Sequence, residues 1–216
     1  MQISNDIETL KTELITYATS IFQRGLTFGA SANMSVAFEG GYIVTPTNSC
    51  FGFLNREQLS VLSKNGELLQ GQPASKEFLL HKAFYDEQPN TQCVIHLHST
   101  YATALSCLAD IDINDAVPCL TPYLRMRLGP IALVPYFPPG SDDLVMAVRE
   151  RVSSHRGILM ANHGPIVAAD SLLKTVYAME ELEESCKLAL LLSQQNTSQL
   201  NQVQIQYLET AYKSKL

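Results

Sequence analysis

Short, β-rich apolar segments alternate with amphipathic helical segments along this chain, and this alternation constrains the fold more than any other feature. The segments NMSVAFE and YIVTPT flank Gly40-Gly41, which is a two-residue hairpin signal. Three further runs are predicted to form strands: TQCVIHLHS, PIALVPYF and RGILMANHG, the last followed by IVAA. Hairpins and strand–helix alternation together predict one α/β domain over residues 1–216, with a central, mostly antiparallel or mixed sheet flanked by helices.

Helical spacing of apolar residues predicts the remaining elements. Long helices are expected over residues 7–22, 75–88, 141–153 and 170–193, with Asp170 as the cap of the last. Shorter helices are expected around residues 55–62, in TYATALSCLA, and after the polar linker QQNTSQLNQ.

Composition argues against several classes of function. Hydrophobic residues make up 46% of the 216 residues and charged residues 17%, which suits a packed core. The net charge of −6 and the lack of a Lys/Arg run argue against a nucleic-acid partner. The N-terminus does not resemble a signal peptide, and the apolar run LALLL is too short to cross a membrane. Five scattered cysteines fit reduced thiols, so a cytoplasmic protein without a membrane partner is expected.

The pattern HLH places His96 and His98 two residues apart in a predicted strand, where such residues share one face. His163 follows at the end of a second strand, in ANHGP, where Gly164 lets the chain turn. Three neutral imidazoles with an open position are typical of catalytic zinc, although Co²⁺ or Mn²⁺ would also suit them. The alternative is three separate structural histidines. His155, in the polar SSHRG loop, is expected to be exposed.

The segment SKEFLLHKAF places Glu77 in the first turn of a predicted helix, behind Ser75 and Lys76. A helix N-terminus favours anions, so Ser75 and Lys76 are candidates for binding phosphate. Glu77 is then a candidate acid/base or fourth metal ligand. The alternative is an ordinary capping serine followed by a glutamate that the helix dipole favours. His81 lies on the same helical face as Glu77, where it either orients Glu77 or is a core histidine.

Two small polar turns complete the candidate residues. SANMS precedes a predicted strand, and TPTNS follows the hairpin. Such turns can donate several hydrogen bonds to a phosphate, although either one alone equally suits plain turn chemistry.

In this order, the motifs SANMS, TPTNS, SKE, HLHST, PYFPPGS and NHG resemble the class II aldolase/adducin family over about residues 8–195. The resemblance implies a class II aldolase-like fold, with Glu77 as the acid/base. It implies a catalytic metal on three histidines: His96, His98 and His163. It also implies a phosphate site, which maps to Asn33, Thr47, Asn48, Ser75 and Lys76.

Aldolases of this family are cyclic tetramers with sites between subunits, so the resemblance further implies a homotetramer. Tyr123, Tyr207 or Tyr212 of a neighbouring subunit is then a candidate for proton transfer. Arg125 and Arg127 either meet a substrate carboxylate or face solvent.

Three positions depart from the family pattern. Ala32 and Asn48 stand where the two turns usually have glycine, and asparagine tolerates a left-handed backbone better than most residues. Lys76 replaces the second serine of the sugar-phosphate aldolases. Three features, namely SKE with this lysine, HLHST and the segment TPYLRMRLGPIALVPYFPPG, make the chain most similar to one branch of the family. That branch decarboxylates a 3-oxo-tetronate 4-phosphate.

That similarity implies a metal-dependent carboxy-lyase acting on a small phosphorylated sugar acid. Loss of C1 as carbon dioxide leaves an enediolate, which the metal stabilises as a Lewis acid, and protonation at C2 gives dihydroxyacetone phosphate. One alternative is an aldolase or epimerase of the fuculose- or ribulose-phosphate type. Others are a dehydratase of a thioribulose phosphate and a non-enzymatic, adducin-like interaction module.

Overall fold

The computed structural model describes residues 6–212, which form an eight-stranded sheet with helices on both faces. The strands are β1 (Asn33–Phe38), β2 (Gly41–Val44), β3 (Ser60–Ser63), β4 (Leu68–Gln70), β5 (Cys93–His96), β6 (Ile131–Val134), β7 (Gly157–Met160) and β8 (Gly164–Ala169). The helices are α1 (Ile7–Gln23), α2 (Phe78–Glu87), α3 (Thr100–Ser106), α4 (Pro122–Leu128), α5 (Asp142–Val152), α6 (Leu172–Leu191) and α7 (Gln202–Tyr212), with a 3-10 turn at Phe51–Phe53.

The strand order is β4-β3-β2-β1-β5-β8-β7-β6. Across the described part of the chain, neighbouring strands are antiparallel except β6 and β7, which run parallel. The predicted class, a mostly antiparallel or mixed sheet flanked by helices, is therefore confirmed. The hairpin predicted at Gly40-Gly41 joins β1 to β2, and it closes on the pair Phe38 and Gly41.

Strand alternation divides the core into two layers. In β5, Cys93 and Ile95 pack with helices α1, α3, α4 and α6 on one face of the sheet. Val94 packs on the other face with apolar residues of α2 and α5. Helices on both faces give a three-layer α/β/α arrangement, and none of the helices within residues 6–212 is long and apolar enough to cross a membrane.

The short helix predicted around residues 55–62 is wrong. This segment enters β3, whose residues pair with β2 in the register Val44 to Ser60 and Ile43 to Val61. The backbone hydrogen bonds of β3 come from a strand that lies far away in sequence, so local helical spacing could not reveal them.

Two smaller predictions are also wrong. The cap of α6 is Ser171, whose hydroxyl accepts from the Lys174 amide at 3.3 Å, whereas Asp170 forms an ion pair with the Lys174 side chain. His155 is buried rather than exposed, because Nε2 donates to the carbonyl of Asn114 at 3.1 Å and the ring closes the end of α5.

Candidate metal centre

Three imidazoles meet where β5 ends and β7 turns into β8. His96 is the last residue of β5, His98 lies two residues beyond it, and His163 lies in the β7–β8 turn. The ring centroids are 4.8–5.0 Å apart in all three pairs, and one nitrogen of each ring lies within 4.8 Å of the others. The predicted strand thus ends earlier than expected, at His96, yet the rings still converge.

Gly164 allows His163 to lie close to the HLH segment. Its backbone has φ +151°, and a Cβ at this position would lie 2.4 Å from the carbonyl oxygen of Leu97. Leu97 separates His96 from His98, so the turn passes directly beside the HLH segment. A residue with a side chain would push the two segments apart.

The tautomer of His96 follows from its contacts. Its Nδ1 lies 2.8 Å from the carbonyl oxygen of Pro165, which can only accept, so Nδ1 carries the proton. Nε2 then presents a lone pair, and it finds no hydrogen-bond partner among residues 6–212 although it is fully buried. Burial lowers the pKa of His96 to about 3, so the ring is neutral at physiological pH. A buried, unpaired imidazole lone pair facing two further histidines fits a divalent metal ion.

Glu77 lies across from the histidines, at the N-cap of α2. Its Oε1 is 3.3 Å from His163 Nε2, and its Oε2 is 3.5 Å from His96 Nε2. Asn33, at the start of β1, donates from Nδ2 to Oε2 at 2.8 Å. Burial raises the pKa of Glu77, but the hydrogen bonds from His163 and Asn33 outweigh it and hold the pKa below its usual value. The carboxylate therefore lies beside the predicted metal ligands His96 and His163.

The candidate phosphate residues come from two neighbouring segments. The amide of Thr47 donates to Pro73 at 3.0 Å, and that of Ser75 donates to Thr45 at 3.1 Å, which joins the turn after β2 to the entrance of α2. Asn48, predicted to tolerate a left-handed backbone, has φ 56°. The structure therefore brings Thr47 and Asn48 close to Ser75, which leads directly into Glu77.

Side chains from these segments differ in exposure. Asn33 is buried against Glu77, whereas Lys76 is exposed to solvent. The Ser75 hydroxyl accepts from the Glu77 amide at 3.3 Å, which is ordinary turn capping and still leaves its proton free to donate.

The candidate arginines are engaged elsewhere. Arg125 is buried and pairs with Asp115 and with Glu209 of α7, so it fastens α7 to α4. Arg127 lies over the ring of Tyr177 at 5.5 Å. Neither arginine contacts the histidine cluster within the described chain. The candidate tyrosines lie on α4 and α7, where Tyr123 and Tyr207 are exposed.

Glu183 is a positioning residue that motif reading did not single out. It lies within the segment EELEE, and its carboxylate accepts from the Ser99 hydroxyl at 2.7 Å and from the amides of Tyr101 and Ala102 at 2.8 Å. These groups form the start of α3, directly after His98. A carboxylate at a helix N-terminus is favourable, so Glu183 anchors the chain that carries His98.

Comparison with known proteins agrees with this geometry. The model of the Class II Aldolase and Adducin N-terminal domain matches residues 12–190. A 3-oxo-tetronate 4-phosphate decarboxylase from Escherichia coli O6:H1 is 42% identical, covering 86% of this chain and 88% of the relative. An L-fuculose phosphate aldolase from Methanococcus maripaludis is 30% identical, covering 82% and 94%. The crystal structure of YgbL from Escherichia coli superposes with a TM-score of 0.91 at 38% identity, covering 94% and 98%. The chain belongs to the class II aldolase and adducin family.

Proposed function

We propose that this protein is a divalent-metal-dependent carboxy-lyase that converts a 3-oxo-tetronate 4-phosphate into dihydroxyacetone phosphate and carbon dioxide. The observation that carries the proposal is the 42% identity to a decarboxylase of that name, against 30% to an aldolase of the same family. The histidine cluster beside Glu77 supports the same chemistry, because a β-keto acid needs charge stabilisation at its ketone oxygen and a proton source nearby.

The reaction balances with the groups present. The C1–C2 bond breaks, its electron pair moves onto C2 and the C3 oxygen, and C1 leaves as carbon dioxide. A metal held by His96, His98 and His163 would supply Lewis-acid stabilisation of the enediolate, with zinc as the first candidate and Co²⁺ or Mn²⁺ as alternatives. Glu77, a carboxylate at rest, takes up a proton from water and passes it to C2, which completes dihydroxyacetone phosphate.

The phosphate is proposed to sit at the entrance of α2. Ser75 donates its hydroxyl proton, Thr47 and Asn48 add donors from the adjoining turn, and Lys76 supplies a positive charge in a chain whose net charge is −6. Asn33 uses one amide hydrogen on Glu77 and keeps the other for the substrate. Phosphate binding thereby places C2 beside Glu77.

We further propose a cytoplasmic homotetramer with active sites between subunits. Free thiols at all five cysteines support a reducing compartment. Exposed aromatic side chains such as Phe28, Phe53 and Tyr136 support burial against another copy. Light scattering coupled to size-exclusion chromatography measures the assembly, and a monomer at micromolar concentration would contradict it.

The decisive experiment offers the purified, metal-loaded protein two substrates in parallel. With a 3-oxo-tetronate 4-phosphate we expect carbon dioxide and dihydroxyacetone phosphate in equal amounts. Release of an aldehyde from L-fuculose 1-phosphate, with no carbon dioxide from the keto acid, would instead establish the aldolase alternative. The adducin-like alternative lacks support, because all three histidines and Glu77 are present and converge. Failure to bind any divalent ion would revive it.

A further inference from the structure

A row of polar side chains runs from Glu77 away from the histidines, along the contact between α2 and β1. The helical side contributes Glu77, His81 and Tyr85 at four-residue intervals, and the strand contributes Asn33 and Ser35 at a two-residue interval. Four residues along a helix advance about 6 Å and two residues along a strand advance about 7 Å. The side chains of the two rows therefore stay level with one another. Side chains from helix and strand can therefore alternate.

The five side chains form one continuous chain of contacts. Beyond the 2.8 Å bond from Asn33 to Glu77, Asn33 Oδ1 lies 2.5 Å from His81 Nε2. His81 Nδ1 lies 2.7 Å from the Ser35 hydroxyl, which lies 2.8 Å from the Tyr85 hydroxyl. Asn33, Ser35 and His81 are all buried, so water does not substitute for these partners.

The charge of Glu77 fixes the direction of each bond. A carboxylate only accepts, so Asn33 turns its NH₂ group toward Glu77 and its carbonyl toward His81. His81 must then carry its proton on Nε2, which leaves Nδ1 to accept from Ser35. Ser35 spends its single proton on His81, so it accepts from Tyr85. All four bonds point toward Glu77.

The protonation states agree with this direction. Burial lowers the pKa of His81 to about 4, so the ring is neutral and Nδ1 can accept. Burial also raises the pKa of Tyr85 well above its usual value, so its hydroxyl keeps the proton that it donates.

We propose that His81 is a positioning residue for Glu77: as its Nε2–H tautomer it holds the Asn33 carbonyl, and Ser35 and Tyr85 hold that tautomer from behind. The proposal rests on the acid/base role proposed above for Glu77. If Asn33 were free to turn over, its carbonyl oxygen would face a carboxylate oxygen, and two acceptors cannot bond. His81 excludes that arrangement, so Glu77 stays in one orientation toward the substrate.

Substitutions at His81 test this through turnover and metal content together. We expect His81→Leu to lower kcat by about ten- to a hundredfold, as loss of a partner behind a metal site typically does. The bound metal per chain stays unchanged, and KM changes less than about threefold, because the phosphate contacts remain. His81→Gln keeps an N–H near the position of Nε2 and returns kcat to within about threefold of the original enzyme.

His155→Leu is the matched control, because His155 is also a buried histidine but bonds to the backbone of Asn114. We expect it to lower the melting temperature without changing kcat. Ser35→Ala and Tyr85→Phe remove the outer contacts, and we expect their loss of kcat to be smaller than that of His81→Leu.

The tautomer is measured directly on ¹⁵N-histidine-labelled enzyme. We expect the His81 proton on Nε2 and an unprotonated Nδ1 at pH 7. A proton on Nδ1, or a charged ring, would overturn the proposal, as would a His81→Leu enzyme that holds full metal and keeps kcat within about twofold. If His81→Leu does not fold, Ser35→Ala takes its place with a smaller expected loss, and a kcat within about twofold of the original enzyme at full metal content would again overturn the proposal.

Failure of the proposed reaction can be distinguished from failure of the positioning role of His81. Wild-type enzyme that releases no carbon dioxide from the keto acid would refute the decarboxylase function, while the tautomer measurement still judges the chain of bonds. The variants are then compared on cleavage of L-fuculose 1-phosphate. The same order of kcat values is expected there, and an unchanged kcat in His81→Leu would reject positioning for either reaction.

Discussion

The carbonyl of Pro165 accepts a hydrogen bond from His96 Nδ1 at 2.8 Å, and this single contact decides which ring nitrogen faces the other histidines. Because β5 and β8 are paired, with His96 opposite Ile166, the carbonyl is held in place by the sheet. The strand pairing therefore orients the first candidate ligand before any ion arrives.

Metal binding should consequently stabilise the folded chain. Adding Zn²⁺ to chelator-stripped protein at a hundredfold excess over its dissociation constant should add about 2.7 kcal/mol to the free energy of unfolding. His96→Ala should remove most of that gain. His155→Ala, at a buried histidine outside the cluster, should lower the stability of the metal-free chain but keep the gain on adding metal. Urea titrations with and without metal measure both, and an equal gain in His96→Ala would contradict the site.

Glu77→Gln should retain the metal but lose turnover. The amide keeps the size of the side chain but supplies no proton to C2, so kcat should fall by about 10²–10⁴-fold. Metal content per chain should stay near that of the original enzyme. Glu87→Gln is the matched control, because Glu87 lies at the other end of α2 and is exposed. Activity of Glu77→Gln close to that of the control would exclude an acid/base role.

Stability should depend on pH through His81. Its pKa is lowered from 6.5 to about 4 in the folded state, so between these values the unfolded chain binds more protons than the folded chain. Stability is therefore present above pH 6.5 and is lost as the pH falls toward 4. Between pH 7 and pH 5 this one group should cost about 2 kcal/mol.

Comparison of metal-free wild type with His81→Gln isolates that contribution, because other groups titrate alike in both. Urea unfolding at pH 7 and pH 5 should show a smaller pH effect in the variant. An identical loss in the two proteins would mean that His81 is not neutral inside the fold.

Removing the Glu183 carboxylate should loosen the segment after His98. Glu183→Ala leaves the Ser99 hydroxyl and two α3 amides without their acceptor, which should cost about 2–3 kcal/mol in free energy of unfolding. Glu184→Ala is its neighbour control, because Glu184 is exposed and its ion pair with Lys187 is worth at most about 1 kcal/mol. Equal losses in the two variants would show that Glu183 does not anchor α3.

Local patterns in the sequence predicted much of the fold and of the candidate site of this protein. Strand–helix alternation and the Gly40-Gly41 signal predicted the mixed sheet between helices, because apolar period and turn residues act over short distances. The order of motifs likewise led to His96, His98, His163 and Glu77 as one cluster.

Only the tertiary structure decided what depends on partners distant in sequence. The segment at residues 55–62 leads into β3 because its backbone pairs with β2. Glu183 lies against the start of α3 because its carboxylate accepts hydrogen bonds from the amides there. The tautomers of His96 and His81 depend on Pro165 and Asn33, which lie far away along the chain. Hydrogen-bond direction is set by whichever group lies opposite in space, and spacing along a sequence does not contain that information.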